Sequence, residues 1–230
     1  MKDIVVLGDR DPRSVTHREL DAAITLLPDG VTARWVGTDT ADALRTADAD
    51  ALWVMSGTPY RNDAVVYSAI TTARTSGQPF LGTCGGFQYT VVEFARHVAG
   101  IAGAEHAENA PSADQLVIDR LACSLVGVTR DVTAIPGTRM HDLCGGAPFV
   151  GFHWCSYGIA PVFLDRLAEC GLRITATADD AGVEAIELSE HPFFLATLFQ
   201  PQVGALARQS LHPVIQGFVA AVRGARDVVV

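Results

Sequence analysis

The most constraining feature of the chain is a set of short runs that are apolar at every position rather than at every second one. They fall at residues 4–7, 51–55, 79–82 and 193–199. A strand reads this way when both of its faces are covered, as in parallel sheets flanked by helices. Between the runs lie stretches of helical period. Leu20, Ala23, Ile24 and Leu27 follow the i, i+3, i+4, i+7 spacing, and Phe87, Val91, Phe94, Ala95 and Val98 mark a second helix. Strand and helix in alternation imply an α/β fold with a mainly parallel central sheet and helices on both faces. Residues 103–150 break the pattern with scattered Gly, Pro and polar residues, and carry one strand signal near 116–118. No repeat, low-complexity tract or long linker divides the chain, so residues 1–230 are expected to form one domain with an elaborated middle.

A chain of 230 residues can bury a core without disulfides or structural metal. Its 26 acidic and 17 basic residues give a net charge of −9, which repels a phosphate backbone, and no Lys/Arg cluster restores a nucleic-acid-binding face. The first apolar run is too short for a secretory leader and is flanked by Asp3 and Asp9. Nothing approaches the ~18 consecutive apolar residues of a membrane span. The five cysteines form neither a CxxC pair nor a zinc-ligand spacing. Reduced thiols, a cytoplasmic location and no metal or cofactor are expected.

Pro79-Phe80-Leu81-Gly82-Thr83-Cys84-Gly85-Gly86-Phe87-Gln88 joins an apolar strand to a helix through a Gly-x-Cys-x-Gly turn. This is the nucleophile-elbow pattern with Cys in the Ser position, where glycines permit a strained turn that presents the side chain. A thiol there meets the positive end of a helix, which favours thiolate. A small cysteine packed in a tight turn is the competing reading. Cys123, Cys144, Cys155 and Cys170 have no such surroundings and read as packing residues.

The stretch PFLGTCGGFQYTVVEFARHVAG resembles the nucleophile region of class I glutamine amidotransferases, most closely the glutaminase domain of CTP synthases. Further blocks follow in the family's order: the first strand and helix, Met55-Ser56-Gly57, Leu125-Val126-Gly127, His191-Pro192-Phe193-Phe194 and the closing segment His212 to Phe218. The resemblance covers nearly the whole chain and implies a class I amidotransferase-like, flavodoxin-like three-layer fold. It implies that Cys84 is the nucleophile, that the backbone N–H groups of Gly57 and Gly85 hold the oxyanion beside Ser56, and that Gln88 and Glu108 contact a small substrate.

The departures bear on activity. Where the family has the His-Pro-Glu of its Cys-His-Glu triad, this chain has Gln200-Pro201-Gln202, and a carboxamide cannot take a proton from a thiol. The family's glutamine-gripping Arg aligns with Ser156 in His153-Trp154-Cys155-Ser156-Tyr157, so ordinary glutamine is not the expected substrate. The synthetase domain of CTP synthases has no counterpart in the sequence.

Isonitrile hydratases and related families place an acidic residue from the first helix beside the same elbow cysteine. Glu19 is the matching candidate acid/base here, and Thr16-His17-Arg18-Glu19 is equally a capping box in which Glu19 satisfies a backbone N–H. Tyr60 and His153 are further candidates for substrate contact. Arg10 or Arg61 is a candidate carboxylate grip in place of the lost Arg, against the reading of a solvated loop with local ion pairs. His17 faces solvent or the pocket, His141 lies in the irregular middle, and His97, His106, His191 and His212 read as structural or exposed. The leading expectation is a Cys84-dependent hydrolase or transferase on a small amide-, ester- or nitrile-like molecule. The alternatives are a catalytically silent ligand- or partner-binding homologue, a glutaminase subunit completed by a synthetase partner, and assembly as a homo-oligomer.

Overall fold

The apolar runs become the centre of one large sheet. A computed structural model describes residues 1–224; the last six residues of the expected domain, 225–230, lie outside the described residues. The chain opens with strands β1 (Lys2–Leu7), β2 (Val31–Val36), β3 (Ala51–Val54) and β4 (Phe80–Thr83), the first two joined by helix α1 (Val15–Thr25) and the last two by α2 (Asp63–Ser76). Helix α3 (Gly85–His97) leaves β4 at the cysteine turn. The middle then builds β5 (Ala104–His106), β6 (Gln115–Arg120), β7 (Val128–Ala134), α4 (Arg139–Cys144), β8 (Phe149–His153), β9 (Tyr157–Ile159), α5 (Leu164–Glu169), β10 (Arg173–Ala178) and β11 (Gly182–Glu187). Strand β12 (Phe194–Thr197) returns to lie parallel beside β4, followed by the short α6 (Ala205–Arg208) and α7 (Pro213–Gly224).

The nine-stranded sheet runs β2-β1-β3-β4-β12-β11-β10-β7-β8, and β5-β6-β9 form a small second sheet. From β2 to β12 every pairing is parallel; from β12 outward every pairing is antiparallel. The parallel half matches the uninterrupted apolar runs, since β3, β4 and β12 are buried along their whole length. The segment 103–150 is more ordered than its composition suggests, holding β5, β6, β7 and α4. Strand β6 lies on the 116–118 signal.

Two cores flank the sheet. Val66, Ile70, Phe87, Val91, Val92 and Phe194 pack on one face. Leu20, Trp53, Phe193, Phe218 and Val222 pack on the other. Each fully buried aliphatic or aromatic side chain contributes about 1.5–3 kcal/mol. Helix α3 is buried from Gly85 to Ala95 because the sheet covers one side and the small sheet the other. Its one buried carboxylate, Glu93, is compensated by Arg74 at 2.8 Å and by the Thr71 hydroxyl at 2.8 Å. Among the described residues no helix is long and apolar enough to cross a membrane.

Candidate functional site

Cys84 is the N-terminal flanking residue of α3, with φ 52° and ψ −105°, a conformation non-glycine residues rarely hold. It is held there from both sides: its N–H donates to Thr197 O at 2.8 Å, and its carbonyl accepts from Gln88 N–H at 3.1 Å. The glycines after it are sterically required. A Cβ on Gly86 would sit 2.1 Å from the Val54 carbonyl oxygen of β3, so the helix can start here only without a side chain. A Cβ on Gly85 would sit 2.6 Å from the Thr58 methyl and 3.6 Å from the Gly57 nitrogen. The Gly57 and Gly85 backbones thus approach one another closely at the cysteine turn.

A cavity of about 470 Å³ opens over the thiol. Cys84, Ser56, Gly57, Gln88, Glu108, Ser156 and Gln200 line it, as the sequence resemblance implies for each of these positions or its replacement. Gln88 closes the far wall through a relay. Its Nε2 donates to Tyr157 O at 2.9 Å, and its Oε1 faces His106 Nε2 at 3.0 Å. His106 Nδ1 accepts from Glu108 N–H at 3.0 Å, so the proton is on Nε2. Burial lowers the His106 pKa to about 4, which keeps the ring neutral. Glu108 accepts from the Thr58 hydroxyl at 2.7 Å.

The triad positions hold a carboxamide pair. Gln202 Nε2 donates to Gln200 Oε1 at 2.7 Å, and the same oxygen accepts from Ser56 Oγ at 3.3 Å. Gln200 Nε2 and Gln202 Oε1 have no hydrogen-bond partner among the described residues, although both side chains are buried. The pair therefore fixes Ser56 but leaves one donor of Gln200 uncommitted.

Four sequence expectations are corrected. Glu19 does not line the cavity. Helix α1 starts from Ser14 rather than Thr16, so the capping box does not form. The Glu19 carboxylate instead accepts from Gly204 N–H at 3.1 Å and Leu206 N–H at 3.0 Å, tying α1 to the start of α6. Tyr60 is buried in the core, its ring edge-on to Tyr89 at 4.7 Å and its hydroxyl bonded to Met55 O. His153, at the end of β8, turns under the sheet, where its Nε2 lies 2.9 Å from both oxygens of buried Glu184. Its place in the wall is taken by the next two residues, Trp154 and Cys155. Arg10 pairs with Asp21 at 2.7 Å and Arg61 with Asp39 at 3.4 Å, and neither lines the cavity.

Two further residues line the wall, one for which the sequence leaves solvent and pocket open and one that it reads as packing. His17 is buried and faces the cavity rather than solvent. Its Nδ1 accepts from Asp11 N–H at 2.9 Å, so Nε2 carries the proton and donates to Ser56 O at 3.1 Å. Burial lowers its pKa. With both nitrogens committed, His17 is a positioning residue for the Ser56-Gly57 turn. Cys155 also lines the cavity, against Cys84, rather than merely packing. Asp9 and Asp11 complete the rim, and among the described residues no lysine or arginine lines it.

A cysteine at a strained strand-to-helix turn, at the C-terminal edge of a parallel sheet with helices on both faces, defines an α/β domain with an elbow cysteine. A family model described as glutamine amidotransferase class-I matches residues 18–205, and the chain belongs to that family. It is 34% identical to the CTP synthase of Halobacterium salinarum over 227 residues, covering 94% of this chain and 40% of that protein. It is 36% identical to the CTP synthase of Archaeoglobus fulgidus over 186 residues, 76% of this chain and 35% of that protein. The chain thus spans about two fifths of the length of these curated relatives. Among solved structures, the glutaminase domain of Trypanosoma brucei CTP synthase with bound acivicin superposes with a TM-score of 0.84 at 22% identity, covering 100% of this chain and 96% of that one. A putative GMP synthase subunit from Thermoplasma acidophilum gives 0.68 at 18% identity, covering 99% and 97%.

Proposed function

We propose that the chain is a Cys84-dependent hydrolase or transferase acting on a small polar molecule with an ester-, nitrile- or amide-like carbon, other than ordinary glutamine. The observation that carries this reading is the strained elbow at Cys84 set beside the close approach of the Gly57 and Gly85 backbones. Sulfur adds to the electrophilic carbon. The negative charge that forms, on oxygen for an ester or amide and on the thioimidate nitrogen for a nitrile, lies between the N–H groups of those two glycines until it is protonated or the leaving group departs. Backbone strain of this kind costs about 1–3 kcal/mol, and an elbow without a reaction to serve has no use for it.

The rest of the wall narrows the chemistry. A departing amine must be protonated, and Gln200 has no proton to give. Nitriles, which lose no group on addition, and thioesters, whose thiolate departs unprotonated, suit this wall better than amides. The Asp11 carboxylate is paired with Arg13 at 3.1 Å, whereas Asp9 and Glu108 meet no lysine or arginine in the cavity lining, which favours a substrate that is uncharged or carries an ammonium group and disfavours one with a free carboxylate.

The test is adduct formation by intact mass, using small nitrile, thioester and amide probes with and without an amino group. A stoichiometric adduct that maps to Cys84 and disappears in Cys84→Ala supports the reading. Equal labelling of Cys84 and exposed Cys123, or turnover retained in Cys84→Ala, sinks it. A second reading, a domain that works with a synthetase partner, is favoured by the chain's 34% identity to the CTP synthase of Halobacterium salinarum. Ammonia release from glutamine that appears only when such a partner is added identifies that case.

A further inference from the structure

The thiol of Cys84 is not alone in its cavity. Cys155 reaches the same space from the loop between β8 and β9, 71 residues further along the chain (155 − 84). The two residues belong to one packed cluster and line one cavity, and Cys84 Sγ lies 3.9 Å from the carbonyl oxygen of Trp154, the residue before Cys155. Both cysteines are nearly closed off from solvent, 5% and 8% exposed, and open only onto the cavity.

The loop that brings Cys155 there is fastened on every side. Leu125 N–H donates to Cys155 O at 2.9 Å, and Leu121 N–H to Ser156 O at 2.9 Å. The hydroxyls of Ser124 and Ser156 are 2.9 Å apart, and Gln88 Nε2 donates to Tyr157 O at 2.9 Å. The segment that carries the second sulfur into the cavity is thus fixed by a hydrogen-bonded loop rather than by chance packing. The other three thiols are placed differently: Cys123 is exposed, Cys170 is half-buried and Cys144 is 3.7 Å from the Met140 sulfur.

We propose that Cys84 and Cys155 form a two-electron thiol pair, in which a hydroperoxide oxidises Cys84 and Cys155 resolves the product as an intrachain disulfide. The Cys84 thiolate attacks the distal oxygen of ROOH. An S–O bond forms, the O–O bond breaks, and the departing alkoxide takes a proton to become ROH. Cys155 then gives up its proton and attacks the sulfenic sulfur. The S–S bond forms, the S–O bond breaks, and hydroxide leaves with that proton as water. Two thiols and one hydroperoxide become one disulfide, one alcohol and one water, and a dithiol reductant reverses the change.

The environment assigns the two roles. Cys155 is pushed far up from an ordinary thiol by the neighbouring Cys84, by burial and by the nearby Glu184, so it is the protonated partner. Cys84 sits at the helix N-terminus, where an attacking sulfur belongs. Neither step needs the histidine that Gln200 replaces. The inference does not rest on the acyl chemistry proposed above, and the oxidised pair would switch that chemistry off.

The experiment treats the full chain with hydrogen peroxide in small molar excess, denatures it, and alkylates whatever thiols remain before intact-mass and peptide mapping. Two of the five alkylatable thiols are expected to disappear together, joined as Cys84–Cys155, and to return with dithiothreitol. In Cys155→Ser the reaction stops at a sulfenic acid on Cys84, trapped by dimedone. Oxidation of wild-type Cys84 to sulfinic acid with Cys155 still alkylatable, a disulfide between other cysteines, or no preference for Cys84 over exposed Cys123 overturns the proposal. If Cys155→Ser does not fold, the wild-type map decides alone. Because the readout is a disulfide rather than turnover, it is independent of whether any nitrile or thioester is a substrate.

Discussion

The two walls of the cavity are built on different principles. The wall made by β3, β4 and the start of α3 is a backbone device: positive φ at Cys84, no room for a Cβ at Gly86, and a close approach of the Gly57 and Gly85 backbones. The wall made by the end of β8, the loop to β9 and the stretch after β12 is a side-chain device. There Gln200, Trp154, Cys155 and Ser156 line the cavity with their side chains, and Gln202 backs Gln200 at 2.7 Å. A backbone wall fails as a unit when one atom is added. A side-chain wall accepts substitutes of similar size, and Gln200 and Gln202 keep each other and Ser56 hydrogen-bonded through carboxamides alone. The two halves are therefore expected to tolerate substitution very differently.

The largest effect is expected on the backbone wall. Gly86→Ala pushes a methyl to 2.1 Å from the Val54 oxygen, backbone against backbone, where nothing flexible can yield. A loss on the order of 3 kcal/mol or more is expected, read by denaturant midpoint and by loss of selective Cys84 labelling. Wild-type stability in Gly86→Ala would break the distinction between the walls.

Next in size is an acid effect on the far wall. His106 holds Gln88 as a neutral ring, with its pKa lowered from an unfolded value of about 6.5 to about 4 by burial. Between these values the unfolded chain binds a proton that the folded chain refuses, so stability falls as pH drops from about 6.5 toward 4. The contribution is at most roughly 3 kcal/mol. The slope of unfolding free energy against pH in this window should flatten in His106→Gln. An unchanged slope would show that the ring is charged or solvated and does not hold Gln88.

A smaller change tests the side-chain wall directly. Gln200→His with Gln202→Glu restores a base and its carboxylate beside Cys84. The rate of Cys84 alkylation at neutral pH should rise on the order of tenfold, a difference worth about 1.4 kcal/mol. No change would mean that the wall departs in backbone position as well as in side chains.

The same division governs what the sequence discloses. Runs 51–55 and 79–82 with the glycine turn place β3, β4, Cys84 and α3 correctly, because strand, turn and helix follow one another within a few residues and their constraints are local. The antiparallel half is harder to read. β7 alternates exposed Thr129, Asp131 and Thr133 with half-buried or buried residues over only Val128–Ala134, and β10 and β11 pair through a bulge, which blurs their period. His17, left open by the sequence, and Cys155, read as packing, join Ser56 and Cys84 in the wall across 39 and 71 positions. Nothing in their neighbours announces those contacts; they follow from where β1 and β8 end in the sheet. Tyr60 is misread for a related reason. A residue just beyond the Ser56-Gly57 turn is near the site in sequence, but an aromatic ring with a carbonyl partner for its hydroxyl is more stable in the core.

The smallest expected effect decides whether α1 belongs to either wall. A carboxylate one turn into that helix is the natural substitute for a missing histidine, and Glu19 is the residue that sequence alone would choose. Its two acceptor contacts, to Gly204 N–H and Leu206 N–H, give it a different role, since it satisfies otherwise unpaired amides at the start of α6 and holds that short helix against α1. Glu19→Ala should therefore cost about 1–2 kcal/mol of stability while leaving the rate and pH profile of Cys84 alkylation within about twofold of wild type. Glu19→Gln, which keeps one acceptor oxygen, should recover part of the stability without touching the thiol. A fall in Cys84 reactivity at unchanged stability would put the carboxylate in proton transfer after all. The proton-handling group would then lie on α1, outside the wall that Gln200 and Gln202 define.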